Sequence, residues 1–100
     1  MEDELFYRNL KVNILEMMKP SAARRNRPKL TDVDFLAKLK PLYMLSNRKP
    51  TPEEAMNCLD ELIAKGLVRE GKMDAVKIWS ITDKGVEVLK ELSHGEEVDL

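Results

Sequence analysis

Cationic side chains able to neutralise phosphate are concentrated in the middle of the chain. From Lys19 to Lys49 there are nine basic residues and two acidic ones, so the segment carries a net charge of +7. The rest of the chain has 8 basic and 16 acidic residues and carries −8, which leaves −1 overall. Such a local excess of positive charge is typical of a surface that contacts nucleic-acid phosphates. The alternative is a solvated loop that keeps the domain in solution.

The residues predicted to contact DNA fall into two basic stretches, the central helix and a later hairpin. They are Arg24, Arg25, Arg27, Lys29, Arg48, Lys49, Asn57, Lys72 and Lys77. The cations need only be positioned against the phosphates, which dominate affinity. Asn57 is the one side chain of the central helix suited to reading a base edge, although helix surfaces also carry solvated asparagines without any role.

Catalysis and metal binding find little support in the residues. His94, the only histidine, lies in a stretch predicted to be loose, whereas a general base must be held in place. Metal-ligand spacing, a nucleophile elbow and a phosphate-cradling glycine loop are all missing from the sequence. We therefore predict neither enzyme activity nor a metal or cofactor. Trp79 could stack on a base but is interpreted as core, and Cys58 as packing rather than as a disulfide or redox thiol.

The composition indicates one small domain. One hundred residues, 43% hydrophobic and 35% charged, can form a single modest core. No apolar run approaches the roughly 20 residues of a membrane span, so we expect no membrane partner. The acidic start of the chain argues against a signal peptide, and a lone cysteine favours the cytoplasm. The absence of glutamine is a weak indication of a thermophilic source.

Helical periodicity and punctuation predict the elements. Apolar residues spaced by three and four predict a helix from Glu2 to Lys19, ended by Pro20. This helix is followed by a basic linker and by a second helix that starts at Thr31 and stops near Pro41. A short apolar piece at residues 42–45 and a turn at residues 46–50 come next. Thr51 and Glu54 form a capping box that starts the clearest helix, which ends at Gly66.

The second half of the chain reads as a hairpin and a closing helix. Residues 67–69 and 75–81 are predicted to pair across residues 70–74, and Thr82 is predicted to cap the last helix. Residues 1–94 would form the domain, and residues 95–100 a disordered acidic tail.

Two stretches of the chain resemble signatures of MarR- and PadR-like regulators. They are Leu62-Ile63-Ala64-Lys65-Gly66-Leu67-Val68-Arg69 and Trp79-Ser80-Ile81-Thr82-Asp83-Lys84-Gly85. The resemblance covers about a third of the chain closely. It implies an α+β, mainly α fold: a winged helix-turn-helix with a C-terminal two-stranded wing and a closing helix. It also implies that residues 51–65 are the recognition helix, that residues 69–77 are the wing, and that the partner is double-stranded DNA.

The charge of the predicted recognition helix leaves two hypotheses for its function. Its solvent face is predicted to carry the carboxylates of Glu53, Glu54, Asp60 and Glu61, which repel a polyanion. The first hypothesis is a small dimeric transcriptional regulator held on DNA mainly by phosphate contacts. The alternative is a winged-helix module whose acidic helix binds a protein partner.

A homodimer is predicted because the chain offers more apolar surface than one small core needs. The residues assigned to its interface are Leu5, Phe6, Leu10, Ile14 and Leu89.

Overall fold

The computed structural model describes residues 2–19, 29–38, 50–98 and 100. The helices and strands within these residues, in chain order, are α1 (Glu2–Met17), β1 (Leu30–Thr31), α2 (Asp32–Lys38), α3 (Pro52–Ala64), β2 (Val68–Met73), β3 (Val76–Ile81) and α4 (Asp83–Ser93). The helical piece and the turn predicted between residues 39 and 49, and the linker up to residue 28, lie outside the described residues.

The apolar stripe of α1 forms one side of the chain's own core. Phe6, Leu10 and Ile14 recur every four residues, so they line one face of the helix, and all three are buried. They belong to one core cluster with residues of α3, the sheet and α4. The apolar surplus that suggested a dimer is therefore largely consumed inside one chain.

The sheet has three antiparallel strands among the described residues, in the order β1-β3-β2. The hairpin prediction identified β2 and β3 but not β1, whose two residues are too few to show a strand period. Leu30 and Thr31 pair with Trp79 and Ile78. Thr31 also plays its predicted part at the start of α2, because its hydroxyl accepts from the amide of Asp34 at 3.3 Å. β1 thus attaches α2 to the hairpin.

The turn of the hairpin is shorter than its sequence suggested. Instead of a loop over residues 70–74, β2 continues to Met73 and pairs with Val76, which leaves only Asp74 and Ala75 between the strands. Both have positive φ, 51° and 68°. A two-residue turn of this kind matches the twist of the flanking strands, and the pairing it allows outweighs the strain at Ala75.

The base of the hairpin is held against α4 by a close approach at Gly85. A Cβ at this position would lie 2.4 Å from the carbonyl oxygen of Leu67 and 2.6 Å from Cγ1 of Ile81. That carbonyl already accepts the amide of Thr82 at 3.0 Å, so it cannot easily move away. Only glycine lets the start of α4 pack this tightly on the strand.

Two apolar residues that follow α4 pack on the domain, although residues 95–100 were predicted from their composition to form a disordered tail. Gly95 has φ +80° and ends α4 in a left-handed turn that redirects the chain. Leu100 is buried in the core cluster at 7% exposure, and Val98 packs against that cluster. Composition concealed this docking because the two apolar residues are interspersed among three acidic ones.

Candidate nucleic-acid interface

Helix α3 is held rigidly at both ends. At its start, the hydroxyl of Thr51 accepts from the Glu54 amide at 3.2 Å, and the Glu54 carboxylate accepts from the Thr51 amide at 3.0 Å. This is the predicted capping box. At its end Gly66, with φ +77°, lets the amide of Leu67 return to the carbonyl of Leu62 at 3.0 Å. The side chains of α3 are therefore presented in fixed directions.

The outward face of α3 is acidic. One side of the helix is buried through Ala55, Cys58, Leu59 and Leu62. The opposite side exposes Glu53, Asn57, Asp60 and Glu61. Glu54 is half-buried and takes part in the cap, and its carboxylate also accepts from the Tyr7 hydroxyl at 3.2 Å. A face of this composition suits a basic partner better than the floor of a major groove, and Asn57 is its neutral polar group.

Cations lie on the neighbouring hairpin. Arg69, Lys72 and Lys77 are all exposed. Lys72 and Lys77 are direct cross-strand partners, so two like charges face each other on one side of the ribbon. Such a pair is unfavourable in the free protein and is relieved by an anion placed between the two ammonium groups. Lys77 also lies 3.7 Å from the Glu70 carboxylate, an exposed pair that contributes little stability.

The wing is anchored by a buried tryptophan. Trp79 is 2% exposed and packs against Phe35 with ring centroids 5.8 Å apart. Its indole N–H donates to Glu70 at 3.2 Å. The strand register places Glu70 and Trp79 on the same face of the ribbon as Lys72 and Lys77. The interpretation of Trp79 as core is confirmed, and it is not a stacking platform.

A small cleft of about 290 Å³ lies at the base of the hairpin, where α3 ends and α4 begins. Arg69 and Lys84 both line it, and the ammonium of Lys84 donates to the carbonyl of Lys65 at 3.2 Å. Thr82 caps α4 by accepting from the Gly85 amide at 3.1 Å and donates to Gly66 at 2.7 Å. These cations add positive charge at the base of the hairpin, with Arg69 on the opposite face of the ribbon from Lys72 and Lys77.

A larger cleft, of about 610 Å³, lies between α1, α3 and the terminal segment. Lys11 lines it, and its ammonium lies 2.5 Å from the Glu61 carboxylate and 2.6 Å from the main-chain oxygen of Leu100. Cys58 lines the same cleft and is buried. Burial raises the pKa of the Cys58 thiol from 9.0 to about 11, against the opposing effect of Lys11. The cysteine is therefore a packed, protonated thiol, as interpreted from the sequence.

The predicted DNA-binding residues divide into those that the structure describes and those outside it. Lys29, Lys72, Lys77 and Asn57 are exposed. Arg24, Arg25, Arg27, Arg48 and Lys49 lie outside the described residues. The exposed cations Arg69 and Lys84 were not among the predicted contacts. Both belong to the quoted motifs, with Arg69 at the start of the predicted wing and Lys84 at the start of the closing helix.

The assigned dimer interface needs a correction. Phe6, Leu10 and Ile14 are buried within the chain's own core and offer no surface to a partner. Leu89 is also buried, at 8% exposure, and reaches the surface only at the groove between α1 and α4. Leu5 is the exception, at 51% exposure. The stripe was assigned to a partner because the sequence does not show how many helices already pack on it.

The described residues offer neither a metal site nor a membrane span. Within these residues no cluster of three or more histidine, cysteine or acidic side chains could hold a metal ion. No helix among them combines the length and apolarity required to cross a bilayer.

Two solved structures share this arrangement of elements. Both are of Lactococcus lactis ZitR, the C30AH42A mutant, and one is the apo form. The first is 21% identical with a TM-score of 0.57, covering 86% of this chain and 50% of the other. The apo form is 20% identical with a TM-score of 0.58, covering 95% and 62%.

The fold is a winged helix. Its class, α+β and mainly α, with a two-stranded wing and a closing helix, is as predicted. The chain spans 50% to 62% of the length of the ZitR chains, so at this identity the likeness concerns the fold alone. No family model matches the sequence, and neither does any curated protein.

Proposed function

We propose that this winged-helix chain binds double-stranded DNA as a small transcriptional regulator, held mainly by phosphate contacts. The observation that carries the proposal is the exposed cross-strand pair Lys72 and Lys77 on the wing of a helix-turn-helix fold. Helix-turn-helix proteins commonly contact the duplex with such elements. The cations Arg69 and Lys84 at the base of the hairpin and the basic segment between Lys19 and Lys49 add further positive charge.

The acidic face of α3 sets the mode of binding. Glu53 and Asp60 would meet the negative potential of the groove if α3 entered it deeply, and α3 itself offers no exposed cation against them. The wing and the basic segment therefore supply the affinity for DNA, and Asn57 supplies the direct contact to a base edge. Such binding has a strong dependence on salt and a modest dependence on sequence.

The test is a titration with random-sequence duplex DNA at several salt concentrations. The logarithm of the binding constant should fall linearly with the logarithm of salt concentration. Replacing Arg24, Arg25 and Arg27 together by alanine should reduce that slope by about 2.7, since each lost phosphate contact contributes about 0.9. An unaltered slope would remove these arginines from the interface, and no binding to DNA at low salt would refute the proposal.

A homodimer is part of the proposal, with its interface moved to surface that the monomer leaves open. A groove of about 560 Å³ runs between α1 and α4, with Val12 and Leu92 half-buried in it and charged side chains along it. A second copy would bury these residues. Light scattering should show a dimer for the parent chain and a monomer for Val12→Glu. A monomeric parent chain at micromolar concentration would exclude the dimer.

The second candidate is a protein-docking module, favoured by the exposed carboxylates of Glu53, Asp60 and Glu61 on a rigid helix. A basic partner segment would be attracted to this face. The same titration separates the two functions, because a docking module would bind a lysine-rich peptide and not the duplex. Replacing Glu53 and Asp60 by glutamine and asparagine should weaken peptide binding and not DNA binding.

A further inference from the structure

Strand β2 forms an uncovered edge of the sheet. In the order β1-β3-β2 it has a strand partner on one side only, among the residues that the structure describes. The edge of such a strand presents main-chain N–H and C=O groups, and this row of groups can pair with a strand of another chain. Most of β2 is exposed to solvent. The edge is therefore a surface that no described part of the chain uses.

The register of the hairpin decides which residues of β2 offer these groups. The carbonyl oxygen of Leu67 accepts from the amide of Thr82 at 3.0 Å, so the main chain at this position is bonded towards the following strand. Because such bonds alternate along an antiparallel strand, the odd-numbered residues of β2 also turn their main-chain groups towards β3. Glu70 and Lys72 therefore turn theirs outward. Within the described residues, neither makes a main-chain hydrogen bond on that side.

One antiparallel register of two such edges brings opposite charges together. Its hydrogen-bonded pairs must join residues whose main-chain groups point outward, which in β2 are Val68, Glu70 and Lys72. A register that sets Glu70 against Glu70, or Lys72 against Lys72, places like charges face to face and is unfavourable. Setting Glu70 of each chain opposite Lys72 of the other gives two opposite-charge pairs, with Gly71 at the twofold axis between them.

Both charged side chains have capacity for this pairing. Glu70 uses one carboxylate oxygen, Oε1, for the indole of Trp79 at 3.2 Å and for Lys77 at 3.7 Å. Lys72 makes no ion pair within the described residues, and the residue directly opposite it is the like-charged Lys77. A carboxylate that arrives on the other side of Lys72 relieves this repulsion.

The opposite face of the ribbon favours the same contact. It carries Met73 and Val76, which are 53% and 45% exposed. In the register described above, Arg69 of a second copy lies opposite Met73, and its aliphatic stem covers part of this apolar surface. Because strand residues alternate between faces, this contact and the two ion pairs form on opposite sides of one sheet.

We propose that β2 is a self-association edge, which pairs with β2 of a second copy of this chain to make a continuous antiparallel sheet. Glu70 of each copy supplies the carboxylate that the lysine pair of the other lacks. The contact is separate from the groove between α1 and α4. It engages the lysines assigned to DNA, so a paired wing is not free for the duplex. The association itself does not rest on DNA binding and is measured without DNA.

Charge reversal at the two positions tests the contact. The variants are made in the Val12→Glu chain, so that association through the groove between α1 and α4 does not contribute. Glu70→Lys sets lysine against lysine and Lys72→Glu sets glutamate against glutamate, so each should lower the self-association constant at least ~10-fold. Sedimentation equilibrium at low salt, over a range of protein concentrations, measures this constant. A Val12→Glu chain that stays monomeric at every concentration would overturn the proposal.

Mixing the two variants separates the proposed register from a loss of folding. A Glu70→Lys chain and a Lys72→Glu chain restore two opposite-charge pairs when they associate with each other. The equimolar mixture should therefore recover the association of the Val12→Glu chain to within about 3-fold. If the mixture associates no better than either variant alone, while circular dichroism shows both folded, Lys72 is an edge charge that prevents pairing and the proposal is wrong.

A disulfide at the twofold axis tests the geometry without altering the charges of the ion pairs. Gly71 faces Gly71 of the second copy in a non-hydrogen-bonded pair, whose Cα atoms lie roughly 4.5 Å apart, within reach of a disulfide. Under diamide, Gly71→Cys in the Val12→Glu chain should form a cross-linked dimer at least ~10-fold faster than Met73→Cys, the matched control on the same face. Cys58 is buried and does not compete. Equal rates for the two variants would overturn the register.

Discussion

Helix α3 and the hairpin of β2 and β3 are neighbours that differ in two ways: in the sign of their exposed charge, and in how regular their backbone is at the ends and turn. α3 starts in a capping box and ends at a left-handed glycine, yet its exposed face is acidic. The hairpin is joined by a strained two-residue turn, yet it carries the exposed lysines. In a winged helix that binds DNA through its helix, the positive charge would lie on α3. In the binding mode that we propose, the wing supplies the charge and α3 supplies the position.

The largest effect should come from the residue that joins the two regions. Gly85→Ala places a methyl group against the Leu67 carbonyl at the end of α3 and against Ile81 at the base of the hairpin. The free energy of unfolding should fall by about 3 kcal/mol, since a main-chain oxygen yields little. Urea denaturation measures this. Lys84→Ala, at the exposed neighbouring position, should cost far less, and an equally stable Gly85→Ala would show that α4 is not packed so closely.

The next effect tests whether the wing supplies the charge. Lys72→Ala with Lys77→Ala removes two cations, and affinity for duplex DNA at physiological salt should fall roughly 30-fold, with the salt slope reduced by about 1.8. Binding titrations at several salt concentrations measure both values. Lys90→Ala, an exposed lysine on α4, is the control and should leave both unchanged. A larger loss from the control than from the wing pair would reverse the comparison.

A smaller effect is expected for the base-reading candidate on α3. Asn57→Ala should lower the affinity for a preferred sequence about 10-fold, the cost of one good contact to a base edge, while leaving random-sequence binding unchanged. A selection of bound sequences from a random pool, followed by titration of the best one, supplies the measurement. Equal losses on preferred and random DNA would show that Asn57 does not read bases.

The acidic residues of α3 should oppose DNA binding slightly. Glu53→Gln with Asp60→Asn removes two negative charges without changing side-chain size, so affinity for duplex DNA should rise about 3-fold through reduced repulsion. The gain should disappear at high salt. If the double variant instead binds DNA less well, the carboxylates contact the bases and the helix takes a larger part than the charge distribution indicates.

The smallest effect concerns the strained turn of the wing. Ala75→Gly relieves a positive φ at an alanine, which costs about 1 kcal/mol, but adds the entropy loss of a glycine, so the net gain in stability should be about 0.5 kcal/mol. Thermal unfolding measures it. A loss of stability would mean that the turn is not left-handed at this position.

Particular residues show how far sequence reasoning reached. The capping box of Thr51 and Glu54, the stop at Gly66 and the alternation of Trp79 and Ile81 are local patterns, and all of them were found in the structure as predicted. The two-residue strand β1 was missed, because its register depends on a partner some fifty residues away. The assignment of Phe6, Leu10 and Ile14 to a dimer interface was wrong for a related reason. An apolar stripe in the sequence does not show whether a partner or the chain's own helices and strands cover it.

The candidate site divides in the same way. The basic character of the middle segment and the acidity of the α3 face can be read from the sequence, because charge and helical period are local properties. The cross-strand pairing of Lys72 with Lys77 depends on the register of the hairpin. That register is set by a turn shorter than the one predicted.

By itself, the amino-acid order determined the succession of helices and strands, their caps and stops, and the sign of charge along the chain. These depend on backbone geometry and on residues within about one helical turn of each other. Tertiary structure alone decided which apolar face was left uncovered, which lysines face each other, and that Val98 and Leu100 line the cleft beside Lys11 and Cys58. Such outcomes follow from packing between segments distant in sequence, where many weak contacts compete for the same surface.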